Sequence, residues 1–107
     1  MRDLDLTTLR LFVSVCETGN MRRAGEECHM VASAVSKRLA QLEETVGARL
    51  LTRQRHGVSP TPAGDTLLQH ARSMLLSARL IERDMAGHKA GIQGRVNVLA
   101  TASVMAE

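Results

Sequence analysis

The sequence predicts a mainly α fold: a winged helix-turn-helix followed by a long linker helix suited to dimerisation. Three observations carry that prediction. Residues 20–46 read as two short helices joined by a tight turn, the second with an apolar stripe at Val35, Leu39, Leu42 and Val46. Residues 49–60 read as two short strands around Gly57. From Thr61-Pro62 onward, apolar residues recur in steps of four and three, the pattern of a single long helix.

The first helix is expected from about Leu6 to Glu17, where Leu6, Leu9, Phe12, Val13 and Cys16 keep helical spacing. Gly19 suits the left-handed position that ends a helix, and Asn20 can cap the next one. The second helix, about Met21 to Cys28, turns Met21, Ala24, Gly25 and Cys28 inward and Arg22, Arg23, Glu26 and Glu27 outward. Gly25 costs roughly 1 kcal/mol in helix propensity relative to Ala. A close helix crossing offsets that, because the missing side chain lets two backbones approach. His29-Met30-Val31 forms the turn, and the third helix runs from about Ala32 to Val46, stopped by Gly47. Opposite its apolar stripe lie Ser33, Lys37 and Ala40, flanked by Ser36 and Gln41. A buried side backed by short polar and basic side chains suits a helix laid into a DNA major groove.

Residues 49–53 and 58–60 are expected as strands, with Gln54-Arg55-His56-Gly57 as the loop between them. Pro60 confines the second strand to an edge role. Such a two-stranded wing is too small to stand alone and must lean on the helices. Thr61 is the expected N-cap of the last helix, with Pro62 at its favoured first position. That helix is expected to reach about His88, about 27 residues or roughly 40 Å at 1.5 Å per residue.

Its seam is Leu67, Ala71, Met74, Ala78, Ile81 and Met85, a 3.5-residue repeat that Leu68, Leu75 and Leu76 widen near the start. A band of that length exceeds what a head of residues 1–60 can cover, and Ala71 and Ala78 permit close helix contact, so residues 61–90 read as a dimerisation helix. The competing reading packs the helix wholly within its own monomer. Residues 91–107 begin with a Gly-rich hinge, and residues 95–100 then alternate like a strand with no sheet to join. They read as the opening strand of a second domain that is absent here.

A chain of 107 residues with 44% apolar and 23% charged residues has the makings of one folded domain. Phe12 is its only aromatic residue, which argues against single-strand nucleic-acid binding by base stacking and against a ring-lined ligand pocket. The net charge is only +3, yet between Asn20 and Pro60 seven cations stand against four anions, so the basic excess gathers in the helix-turn-helix and wing. Cys16 and Cys28 occupy apolar positions of helices and read as small buried hydrophobes.

His29, His56, His70 and His88 lack metal-ligand spacing, HExxH and CxxC motifs are absent, and nothing marks a strained nucleophile turn. No catalytic residue, metal or cofactor is therefore expected. The N-terminus lacks a signal-peptide pattern and no run approaches the roughly 20 apolar residues of a membrane span. A cytoplasmic, nucleoid-associated protein with no membrane partner is expected.

Residues 4–100 resemble the N-terminal DNA-binding domain and linker helix of the LysR-type transcriptional regulators. The resemblance rests on a linked set: Leu9-Arg10-Leu11-Phe12; Arg23-Ala24; Ala34-Val35-Ser36-Lys37-Arg38-Leu39; Leu42-Glu43-Glu44 with Gly47; Leu50-Leu51-Thr52-Arg53; and Thr61-Pro62-Ala63-Gly64. It implies a winged helix-turn-helix dimerised through antiparallel linker helices, with tetramers usual, and binding to partly palindromic promoter DNA. It also implies a small-molecule effector, but only where a larger C-terminal domain is present, whose first strand residues 95–100 resemble. A chain ending here would be a natural truncation or an excised fragment. Many members carry a Ser-Gln pair where this sequence has Val31 and Ala32, so the cap of the third helix and the usual adenine reading are both lost. The wing's usual Phe is Leu51, a change in packing only.

On this reading Ser33, Ser36 and Lys37 are the candidates for base-edge or near-base contacts. Arg38, nearer the buried edge, reaches a phosphate or pairs with a Glu. Asn20 and Arg22 are candidates for backbone contacts at the start of the second helix. Arg53 is the main wing candidate, with Arg55 and His56 bordering the minor groove from the wing tip. Glu43 and Glu44 read as structural or solvent-facing, since carboxylates repel phosphate. The expected partners are double-stranded promoter DNA and a second copy of the chain, as a dimer or tetramer. The alternative reading is an oligomerisation module that forms mixed oligomers with full-length regulators.

Overall fold

The computed structural model describes the backbone of residues 1–98 and the side chains of residues 1–89. The elements are α1 (Leu6–Thr18), α2 (Met21–Glu27), α3 (Ala32–Val46), β1 (Leu51–Gln54), β2 (Gly57–Pro60) and α4 (Pro62–Val98). The chain divides into two units, one of Met1–Leu75 and one beginning at Leu76.

In the first unit α1 starts where Asp5 caps it, accepting the Thr7 amide and the Thr8 hydroxyl at 3.0 Å each. It ends at Gly19, whose N–H donates to the Val15 carbonyl at 2.8 Å. The buried face of α1 differs from the expected one. Leu9, Leu11, Phe12 and Val15 are fully buried, Val13 and Cys16 half-buried, and Leu6 exposed. α1 touches α2, α3 and β2, so its apolar band is wide, and Leu6, on the first turn, lies at its rim. Both cysteines are half-buried against the core, not fully buried, and free. Burial pushes the Cys16 thiol up to about 11, which keeps it protonated and inert.

α2 is capped by Asn20, whose carboxamide oxygen accepts the Arg23 N–H at 2.9 Å. Ala24 and Gly25 are buried, and a Cβ on Gly25 would lie 2.7 Å from the Met30 carbonyl oxygen and 2.9 Å from Val35 Cγ2. The close crossing expected at Gly25 is therefore present. His29 makes the turn with φ 58°, a left-handed conformation that His tolerates better than most side chains. Val35, Leu39 and Leu42 of α3 are buried, as the stripe predicts, and Val46 is half-buried.

The wing is a two-stranded antiparallel ribbon pairing Leu51 with Pro60, Thr52 with Ser59, Arg53 with Val58 and Gln54 with Gly57. Its turn is only Arg55-His56, shorter than the expected loop because Gln54 and Gly57 join the ladder. β1 also begins later than expected. The Leu50 and Leu51 amides instead donate to Glu43 Oε2 at 2.8 and 3.2 Å. On the other strand the Val58 N–H donates to the Gly19 carbonyl at 3.0 Å.

Thr61 caps α4, accepting the Gly64 N–H at 3.0 Å while its hydroxyl donates to the Arg49 carbonyl at 2.6 Å. The first turns of α4 belong to the first unit: Ala63, Leu67 and Leu68 pack against the core, and Ala71 is wholly buried. This corrects the seam expected for a partner helix, since Ala71 is spent on the chain's own head and Leu67 largely so. In the second unit Ala78 is half-buried, while Ile81 and Met85 are 61% and 56% exposed.

α4 also runs to Val98, past the expected end at His88, so neither the hinge at Gly91 nor a strand from Arg95 to Val98 is formed. A lone strand leaves its backbone donors and acceptors unpaired, whereas a helix satisfies them within the segment. Residues 99 and 100 of the expected strand lie outside the described residues.

Candidate nucleic-acid interface

The exposed side of α3 follows from its burial. With Val35, Leu39 and Leu42 fixed in the core, the 3.6-residue period leaves Ser33, Ser36, Lys37, Ala40 and Gln41 exposed, and all five are. Arg38 behaves differently. One of its guanidinium nitrogens donates to Asp5 Oδ2 at 2.9 Å and to the Thr8 hydroxyl at 3.0 Å. The guanidinium is therefore tied to the cap of α1, not to a Glu as the sequence allowed. With side chains 38% and 54% exposed, the Arg38–Asp5 pair adds little stability; it orients Arg38 and links α1 to α3. The Thr8 hydroxyl and the Thr7 amide, followed by Arg38, hold the Asp5 carboxyl below its ordinary value.

The wing brings other predicted residues together. Arg53 is exposed on β1 and borders two depressions. One, of about 460 Å³ between α3 and the wing, is also lined by Ser36, Ala40, Thr52 and Arg49. The other joins Arg53 to Asn20, Arg55 and His56, so the cap of α2 and the wing tip share one hollow. Lys37 lies apart from these, lining a third depression with Arg38 and Gln41. Arg22 is exposed on the first turn of α2. Among the described residues, Arg22, Lys37, Arg53 and Arg55 form no ion pair, so each cation faces solvent unneutralised.

Three contributors are missed by sequence reasoning. Asp5 and Thr8 position Arg38; Asp5 could have been found as an N-cap residue directly before an apolar-periodic run. Arg49 enters the α3–wing cleft from a position that no motif marks. The structural role read for Glu43 takes a specific form, since it holds the root of the wing. Among the described residues no cluster of His, Cys, Asp and Glu could hold a metal ion, and no helix is long and apolar enough to cross a membrane.

Residues 6–65 match the family model described as "Bacterial regulatory helix-turn-helix protein, lysR family". The chain is 37% identical over 83 residues to the HTH-type transcriptional regulator HdfR of Yersinia enterocolitica, a match covering 78% of this chain and 28% of that protein. It thus spans little more than a quarter of the length of the curated relatives it matches. Among solved structures, it resembles the CbnR_DBD-DNA complex with a TM-score of 0.71 and 31% identity, over 79% of this chain and 99% of that one. The BenM_DBD/catB site 1 DNA complex aligns with a TM-score of 0.74 and 29% identity, over 81% of this chain and 96% of that one.

Proposed function

The chain belongs to the lysR family of bacterial regulatory helix-turn-helix proteins, and we propose that it binds double-stranded DNA sequence-specifically as a transcriptional regulator rather than as an enzyme. α3 lies in the major groove, where Ser33, Ser36 and Lys37 meet base edges, and the wing presents Arg53, Arg55 and His56 to the flanking backbone or minor groove. Asn20 and Arg22 meet the phosphates, and Arg38 acts from its Asp5 clamp at the edge of the face. The observation that carries this reading is the face of α3 opposite Val35, Leu39 and Leu42, exposed, short-chained and basic. Two similar structures are themselves DNA complexes, which supports it. The free cations on α2, α3 and the wing favour it over an interaction module that works without DNA. A cytoplasmic, nucleoid-associated location fits that work.

α4 holds two copies together. Met74 offers exposed apolar surface in the first unit, and Ile81 and Met85 do so in the second, flanking Ala78. The same helix leaves a tetramer open, and a small-molecule effector enters only where a C-terminal domain is present. The test is selection of bound duplexes from a random pool, followed by binding at rising salt and mass at rising protein concentration. A recovered consensus, a linear loss of log affinity with log salt, and a dimer mass support the reading. Failure to bind any duplex at low salt refutes the DNA function; a strict monomer at tens of micromolar refutes the dimer.

A further inference from the structure

Two depressions flank α3. The one toward the wing is lined by Ser36 and Ala40, and the one on the other flank by Lys37, Arg38 and Gln41 together with Arg2, which precedes α1. This second depression measures about 460 Å³. Arg38 is held in it by one corner. Its Nη1 donates to Asp5 Oδ2 at 2.9 Å and to the Thr8 hydroxyl at 3.0 Å, which takes up both N–H groups of that nitrogen. Among the described residues Nε and Nη2 of Arg38 have no hydrogen-bond partner. The Nε–Nη2 edge therefore stays open, and two parallel N–H groups on one edge are the fork that matches a phosphate.

Two carboxylates also line the depression, Asp3 and Asp5, against the cations Arg2, Lys37 and Arg38. Asp5 is already taken up by the Thr7 amide, the Thr8 hydroxyl and Arg38. A guanidinium fixed in this way has given up its rotamer freedom before any ligand arrives, so binding does not have to remove it.

We infer that this depression seats a DNA backbone phosphate, gripped by the Nε–Nη2 edge of Arg38, with Asp5 and Thr8 as the positioning residues that aim it. The inference rests on the DNA-binding reading above and goes beyond it by assigning a phosphate seat away from the wing and the strand that fills it. With α3 in the major groove, its two flanks meet the two backbones that border the groove. The phosphate held by Arg38 therefore belongs to the strand opposite the one held by Arg53.

The experiment uses the whole chain and a selected duplex in which single phosphates are replaced in turn by uncharged methylphosphonates. One position should weaken wild-type binding about tenfold, as expected for a charge-assisted hydrogen bond. That position should be silent in Arg38→Ala, still felt in Arg53→Ala, and on the strand opposite the position that Arg53→Ala silences. Asp5→Asn makes the protein more positive and keeps a good helix cap, yet it should weaken binding roughly twofold to tenfold as Arg38 regains its freedom. Thr8→Val, which alters no charge, should weaken binding in the same direction. In an Arg38→Ala background neither change should weaken binding further. An Arg38→Ala protein with the wild-type methylphosphonate pattern overturns the inference and leaves the DNA function standing. So does an Asp5→Asn protein that binds as tightly as wild type or tighter, since Asp5 would then screen Arg38 instead of aiming it. Equal weakening by Asp5→Asn with and without Arg38 overturns it as well. Absence of any bound duplex removes both the inference and the function on which it rests.

Discussion

Replacing Gly57 with Ala should loosen the wing from the helices, and the structure sets the size of the effect. Gly57 has φ 144°, a conformation that L side chains rarely adopt, and a Cβ there would overlap the Gly19 carbonyl oxygen. That oxygen accepts the Val58 N–H at 3.0 Å, so relieving the overlap moves the strand that the bond holds. Strained backbone costs roughly 1–3 kcal/mol, and a lost hydrogen bond roughly 0.5–1.5 kcal/mol. Together they predict a destabilisation of about 2–4 kcal/mol, or a fall in Tm of roughly 8–30 °C for a domain of this size. Gly87→Ala is the control. A Cβ there meets nothing within 4 Å and the residue lies inside α4, so the change should be neutral or stabilise by up to about 1 kcal/mol. The assay is thermal unfolding by circular dichroism, paired with duplex binding well below the transition. The Gly57 variant should also bind DNA more weakly, because Arg53, Arg55 and His56 ride on the displaced ribbon. A Gly57→Ala protein that melts within 2 °C of wild type and binds with unchanged affinity would refute the reasoning.

Lys37→Ala should change the preference among duplexes by roughly 1–3 kcal/mol, whereas Arg53→Ala should weaken all duplexes alike and lower the salt slope by about one unit; identical effects of the two changes on every sequence would place Lys37 on phosphate alone. Val31→Ser supplies the missing cap of α3 and should raise stability by about 1 kcal/mol, read as a higher denaturation midpoint. Glu43→Ala leaves the Leu50 and Leu51 amides without their acceptor and should cost roughly 1–3 kcal/mol in denaturant unfolding. The folded-state pKa of Asp5 is depressed, so its contribution to stability is present above its ordinary 3.8 and is lost as pH falls through the lowered value. Asp5→Asn should therefore flatten the stability profile in that acid window and leave its shape at neutral pH unchanged.

How much of this was legible in the sequence depended on whether a residue's role is periodic or pairwise. The buried stripe of α3, the close crossing at Gly25 and the Thr61 cap follow from spacing and residue type, and the structure has all three. The exposed face of α3 is simply the complement of that stripe. Arg38 marks where the reading thinned: its partner, Asp5, is 33 residues away, and nothing local announces that α1 and α3 meet there. Ala71 shows the same limit, since a small residue in a heptad seam looks alike whether it faces a partner helix or its own core. The strand expected from Arg95 to Val98 failed for a different reason. Alternation describes which side a residue would face if a sheet were present, but a strand is stable only with a neighbour to pair with.

The pairwise contacts that the sequence hides fix the geometry of the candidate interface. A two-stranded ribbon is marginal by itself, so the position of the wing has to be imposed from outside. Three anchors impose it: Glu43 takes the two amides leading into β1, Gly19 takes the Val58 amide of β2, and Thr61 ties the exit of β2 to the Arg49 carbonyl at its entrance. The first comes from α3 itself and the second from the turn that leads to Asn20 and α2. Arg53 is therefore held to the same two elements that carry Ser36, Lys37 and Arg22. A duplex has a fixed groove spacing, so recognition by a helix and a wing at once requires their separation to be set before binding. On the proposed DNA-binding reading, Glu43 and Gly57, neither of which need touch DNA, are among the residues that decide how tightly a duplex is held.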